Sequence, residues 1–245
     1  MLQGLYAAAS GMEAQQTQFD AVSNDLANLS TPGYQASEVG FQSLLYSSAG
    51  SSSGTTVATG AGASSAIVGR DQTQGPLQPT GRMLDVAIEG QGYLQIGRPN
   101  GTIGLTRDGV LELDSQGRIT NQQGMPLQPP ITLPRGVSAD QLKIASDGTV
   151  TAGNTKLGKI SIVTVPAPGQ LQPDGDSMFS ATAASGATRT ASASTLTQGS
   201  LEGSNVDIST AMSDMITAER TYQMASQSIQ DQDQMLQIAN QLIKP

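Results

Sequence analysis

The side chains able to do chemistry in this sequence are carboxylates beside glycines, and one pair of glycines. Asp108, Asp114 and Asp147 each stand one to three residues ahead of a Gly. Brought together, two or three such carboxylates would serve acid–base catalysis or hold a calcium ion. The same position is where a tight turn places an Asp, because its side chain bonds the backbone two residues on. Turn chemistry accounts for all three. Gly90-Gln91-Gly92 follows an apolar run, as a phosphate-cradling loop would. The third glycine of a dinucleotide fingerprint is missing, however, and a second β-like run follows where a helix should start. The chain has no His, the commonest general base and metal ligand, and no Cys. No Ser or Thr sits in a nucleophile elbow. These residues predict a protein that is not an enzyme and needs no cofactor or metal.

The elements that must position those turns are short β runs. Residues 84–88 and 93–96 flank Glu89-Gly90-Gln91-Gly92, and 103–106 and 110–113 flank Arg107-Asp108-Gly109. Residues 142–145 and 149–151 flank Asp147-Gly148, and 159–165 is a strongly β-branched run. Repeated Asp-Gly and Gln-Gly dipeptides punctuate hairpins. The spacing predicts one mostly antiparallel, loop-rich β-domain over residues 67–200.

Both ends of the chain change period from two to seven. Ile208, Met215, Tyr222, Ile229, Leu236 and Ile243 are spaced by seven, and Ala211, Ala218, Ala225, Gln232 and Ala239 fall three after each of the first five. Leu5, Met12, Phe19 and Leu26 repeat the pattern, with Ala8, Gln15, Val22 and Leu29 three later. These are the two seam positions of a heptad. Asp207 is placed to cap the second helix, and Ser30-Thr31-Pro32-Gly33 to stop the first. One explanation is an amphipathic helix lying on its own domain. The matching ends favour another, in which the two helices pair antiparallel with Gln15 and Gln232 fixing register. The expected fold is therefore α+β: long N- and C-terminal helices paired as an antiparallel coiled coil, with the β-domain between them. The expected divisions are 1–34 for the first helix, 35–66 for an extended segment and Ser/Gly-rich loop, 67–200, and 201–245 for the second helix. Residues 34–46 end in a short apolar anchor, Phe41, Leu44, Leu45 and Tyr46. Residues 47–65, almost entirely Ser, Gly, Ala and Thr, read as a flexible loop.

Among 245 residues there are only 12 Lys and Arg, and the formal net charge is −8. No basic face for nucleic acid or an anionic membrane surface can be assembled from so few. Aromatic residues are 3 % of the chain, with no Trp, which argues against a pocket lined by rings. No run approaches the ~18 apolar residues of a membrane span. Leu5-Tyr6-Ala7-Ala8-Ala9 lacks a preceding basic region and is broken by Glu13, Gln15 and Gln16, so it is not read as a secretory signal.

Ser23-Asn24-Asp25-Leu26-Ala27-Asn28-Leu29-Ser30-Thr31-Pro32-Gly33-Tyr34 resembles the N-terminal signature of bacterial flagellar rod and hook proteins, with Asp25 where that family usually has Asn. The motif residues are Asn24, Leu26, Ala27, Asn28, Thr31, Pro32, Gly33 and Tyr34. The resemblance continues in the run from Leu84 to Tyr93, in Thr106-Arg107-Asp108-Gly109, in Leu201-Glu202-Gly203-Ser204-Asn205-Val206-Asp207 and in Ala218-Glu219-Arg220-Thr221-Tyr222. Residues 231–237 and the insertion after Tyr46 look most like the distal rod branch; residues 201–206 are shared with proximal rod members. The chain is short for a typical hook protein.

The resemblance implies a structural axial subunit of the flagellar basal body. Copies would stack helically into a hollow, periplasm-spanning drive shaft that transmits torque and conducts exported subunits. It implies export by the flagellar type III apparatus without a cleaved signal. Expected partners are copies of itself, neighbouring rod and hook proteins and the surrounding P- and L-ring proteins, with no nucleic acid and no membrane insertion. The assembly interface is expected at Leu5, Met12, Phe19, Leu26, Ile208, Met215, Tyr222, Ile229, Leu236 and Ile243. A different class of protein, a soluble ligand-binding β-domain dimerised by its terminal helices, shares the same outline.

Overall fold

Asp207 starts the longest element of the chain. Its Oδ1 accepts the Thr210 amide at 2.8 Å, an N-cap bond to one of the amides a helix start leaves free. The helix that follows, α2 (Ile208–Ile243), has 36 residues with no Gly or Pro and extends about 54 Å at ~1.5 Å per residue. The first helix, α1 (Leu2–Ala27), is rich in Ala and Gln. It ends ahead of Pro32, where the Thr31 amide bonds the Asn28 carbonyl and Gly33 takes a left-handed φ of 66°. The computed structural model describes residues 2–44, 47–49, 57–59, 62–134, 136–191 and 193–243. It is α+β, with one helix at each end and mostly antiparallel sheets between them.

The chain divides into two units. The first comprises Met1–Leu26, Ser37–Val68 and Asp207–Pro245; the second comprises Ala27–Ala36 and Gly69–Val206.

Strand Ser37–Ser43 of the first unit pairs with strand Ala63–Arg70, of which residues 63–68 belong to the same unit. The ribbon is tied to α1: the Ser65 hydroxyl donates to the Ala14 carbonyl at 3.2 Å, and the Ala63 amide to Ser10 Oγ at 3.2 Å. Both oxygens of the buried Asp25 carboxylate accept the Ser37 amide, at 3.1 and 3.2 Å. The stretch expected as a loop contains strands, with Ser47–Ala49 pairing antiparallel to Val57–Thr59. A backbone ladder needs no apolar side chains, so composition alone did not reveal it. Leu45 and Tyr46 of the expected anchor lie outside the described residues, as do 50–56 and 60–61 of that stretch. Phe41 and Leu44 are exposed.

In the second unit the largest described sheet has six strands. Its order is Gln172–Pro173, Met178–Ser180, Ile103–Thr106, Tyr93–Gly97, Ile162–Thr164 and Arg189–Thr190. Alternate residues of a strand face opposite sides. Leu94, Ile96 and Ile162 join the main core with Val86, Ile88, Leu111, Ile119 and Leu127. Tyr93, Leu105 and Val163 join a second cluster with Phe179. Tyr93 and Phe179 meet edge to face at 5.8 Å between centroids. The expected run 159–165 is interrupted: Thr155–Lys159 belongs to a separate three-stranded sheet, and the Ile160 amide bonds the Gly148 carbonyl.

Candidate functional site

The three Asp–Gly carboxylates are separate turns. Asp108 Oδ1 accepts the Val110 amide at 3.0 Å, and Asp147 accepts the amide and hydroxyl of Thr149 at 2.9 and 2.8 Å. Asp114 accepts the amides of Gln116 and Arg118 and the Arg118 guanidinium at 2.7 Å. Backbone bonds, from Arg118 and Thr149 respectively, hold the Asp114 and Asp147 carboxyls below the usual range. Burial pushes Asp108 up, with the nearby Asp85 adding to it. No described helix is long and apolar enough to cross a membrane.

The heptad positions differ in cover. On α2, Ala211 and Ala218 are buried, and Met215, Ala225, Ile229, Gln232 and Leu236 are partly covered. Ile208 and Tyr222 are 48 % and 41 % exposed. The side chain of Ile243 lies outside the description. On α1, Leu5, Met12, Phe19 and Leu26 are partly covered, while Ala14, Ala21 and Val22 are buried. The two helices meet in opposite directions. A Cβ on Gly4 would come within 2.7 Å of the Gln232 side chain. Gln15, Gln16 and Phe19 line a cavity of about 140 Å³ together with Ala218, Glu219 and Tyr222. A further set of α2 residues faces solvent: Met212, Ile216, Met224, Met235 and Ile238 are 48–64 % exposed.

Three of the other motif pieces, residues 84–93, 106–109 and 201–206, far apart in sequence, converge inside the second unit. Arg107 and Glu202 form an ion pair at 2.6 Å, each side chain only 3 % exposed. The same guanidinium donates to the carbonyls of Gly90, at 2.6 Å, and Gly92, at 3.1 Å, and lies over the Tyr93 ring. Glu202 Oε1 also accepts the Gly75 amide at 3.1 Å. Burial holds the Glu202 carboxyl above its ordinary range against the pull of Arg107.

The N-terminal motif docks on this pair. The Gly33 amide donates to the Glu202 carbonyl at 2.8 Å. A side chain at Gly33 is excluded, since its Cβ would lie 2.5 Å from backbone atoms of Arg107 and Asp108. The Asn205 amide bonds the Tyr34 carbonyl at 3.3 Å, and Asn205 Oδ1 accepts the Ala36 amide at 2.7 Å. The other end of that amide donates to the carbonyls of Asp71 and Thr73. Arg70 donates to the Tyr34 hydroxyl at 3.1 Å and the Gln35 carbonyl at 2.9 Å. Thr31 bonds Asn28, and Pro32 is half-buried beside it. Asn24, Leu26 and Ala27 lie on the last turns of α1.

Arg70, Arg107, Glu202 and Asn205 carry this junction, and the sequence assigned none of them a role. A signal existed: in a chain with so few basic residues, an Arg between a β-branched strand and an Asp-Gly turn is a candidate for a buried partner.

Known proteins resemble this chain along its length. A family described as "Flagella basal body rod protein" matches residues 5–35. "Flagellar hook protein FlgE/F/G D1 domain" matches 87–152, and "Flagellar basal body rod FlgEFG protein C-terminal" matches 197–242. A flagellar basal-body rod protein FlgG of Caulobacter vibrioides is 37 % identical over 98 % of this chain and 99 % of its own. The FlgG of Buchnera aphidicola is 34 % identical over 99 % and 100 %, and the FlgF of Escherichia coli 30 % over 98 % and 97 %. With relatives that similar from end to end, this chain belongs to the flagellar basal-body rod protein family.

Proposed function

We propose that copies of this chain build the flagellar rod by packing through α1 and α2. Leu5, Met12, Phe19, Leu26, Met215, Tyr222, Ile229, Leu236 and Ile243 would form a coiled-coil seam, with Ile208 at its start. The chain is a structural axial subunit of the basal-body rod, distal FlgG-type members included among its relatives, and it assembles with itself and with neighbouring rod and hook components. Its homologues are structural proteins and not enzymes. The observation that carries the packing reading is the exposed apolar set on α2. Met212, Ile216, Met224, Met235 and Ile238 lie outside the heptad seam and spread around the helix. One partner helix covers one stripe, so further cover calls for further copies. Contacts that do not close on themselves extend into a filament.

Finer features follow from the same reading. Residues 1–34 and 201–245 would form the inner layer around the channel, and 67–200 the outer layer. Residues 47–65 would contact neighbouring subunits and keep the shaft straight and stiff. P- and L-ring proteins would surround the rod, and the flagellar type III apparatus would export the chain with its N-terminus uncleaved.

Electron microscopy of the purified chain across a concentration series tests the packing. Open-ended rods that lengthen with concentration are expected. A closed dimer that stays a dimer would return the chain to the ligand-binding alternative.

A further inference from the structure

We propose that the Arg107–Glu202 ion pair is the positioning element for two of the places where the chain crosses between units. It locks residues 27–36 and 201–206 to each other and to the β-sheet, so that a pull on either crossing is delivered to the sheet. Transfer of torque through this lock rests on the axial-rod reading; the locking does not.

One planar group indexes several chain segments. The Arg107 guanidinium holds the carbonyls of Gly90 and Gly92 and the carboxylate of Glu202. That carboxylate holds the Gly75 amide, and the Glu202 carbonyl holds Gly33. Asn205, three residues on, bonds Tyr34 and Ala36 on the incoming crossing. The strand that carries Glu202, Ser200–Glu202, pairs with Leu77–Pro79 over only three residues. So short a ladder fixes its register weakly. A fork of directional bonds supplies what the ladder lacks.

Stability alone does not explain the pair. Two ions this deeply buried lose hydration that their attraction barely repays, and an apolar pair of the same shape often folds as well. Glu202 Oε2 is moreover buried with no hydrogen-bond partner among the described residues. What an apolar pair cannot do is aim. The charge pair specifies which residue of each crossing sits where.

The test uses the full chain and amide hydrogen exchange at Gly33, Ala36 and Asn205, beside core amides of residues 93–97. In Arg107→Met/Glu202→Leu, the thermal midpoint is expected to stay near that of the unaltered chain. The three junction amides should exchange on the order of tenfold faster while the core amides do not change. Arg107→Lys, which keeps the charge and loses the fork, should fall between. Cells carrying the double variant should form normal rods and swim in dilute medium, yet fail in viscous medium where torque is high. Unchanged junction amides, or an acceleration shared equally by residues 93–97, would overturn the locking. If the double variant does not fold, Arg107→Lys is judged by the same criterion. Normal swimming in viscous medium despite loosened junction amides would overturn the transfer of torque through the lock. Absence of rods from the unaltered chain would remove the axial reading and leave the exchange result standing.

Discussion

Val86, Ala87 and Ile88 are successive residues of one short strand with no exposed surface, whereas the 36-residue α2 buries only Ala211 and Ala218 among its described side chains. Both regions are apolar in pattern; they differ in where the cover comes from. The β-unit recruits strands from across the chain, so that Leu94 and Ile96 face one core and Tyr93 another. Helix α2 is a single cylinder whose apolar residues spread wider than one partner can reach. A region that completes its core within one chain can stand as a domain, and a region that leaves it open is where the proposed packing between copies would find its cover.

The contrast is broken most directly at Leu236, partly covered in the single chain. Leu236→Asp should abolish rods and swimming while the β-unit melts as before. The cost in the assembly is roughly 2–3 kcal/mol of lost burial plus several kcal/mol for desolvating a carboxylate. Gln237→Asp, on an exposed neighbour, is the matched control and should assemble. If Leu236→Asp cells swim normally, or the β-unit melts along with them, the helices are not the interface.

The reverse experiment is Leu94→Ala, at a side chain with no exposure. It should destabilise the purified chain by about 2–5 kcal/mol, as expected for a cavity in a closed core. Denaturant melting followed by tyrosine fluorescence reads this, and a loss below ~1 kcal/mol would mean the β core is not the self-sufficient one.

A smaller effect sharpens the comparison through pH. The bond from Thr210 holds the Asp207 carboxyl below its ordinary 3.8. Its contribution is present above the unfolded value and is lost as pH falls through the lower folded one. Burial raises Asp108, so its sign is opposite: what it contributes is full below the ordinary 3.8 and fades as pH rises through its higher folded value. Acidification should therefore loosen the first turn of α2 while favouring protonated Asp108 in the β-unit. Asp207→Asn, which keeps the cap without the charge, should remove the first effect only, as read by exchange at the Thr210 amide.

The helices were legible because a heptad is a local period, readable without knowing the partner. The Asp-Gly turns were legible for the same reason, and Asp108, Asp114 and Asp147 make the local bonds their spacing implied. Pairings across long stretches left no such trace. Thr195–Gln198 lies beside Val86–Glu89, and Arg107 meets a glutamate 95 residues away. Nothing in either neighbourhood names the other. The motif resemblance included Gly33 and Glu202 in separate pieces, without saying that they touch. The ladder between residues 47–49 and 57–59 escaped because strands of three mostly small residues carry little hydrophobic period.

The long-range pairing of Thr195 with Glu89, 106 residues earlier, also has a meaning in time. The sheet edges at Leu77–Pro79 and Val86–Glu89 stay open until residues 195–202 exist to close them. Closing so large a loop precedes the contacts that reward it, which slows folding. A chain emerging from its N-terminus therefore remains without a finished β-unit until residues 195–202 have emerged, and these last strands act as the clock that sets when its folding can finish.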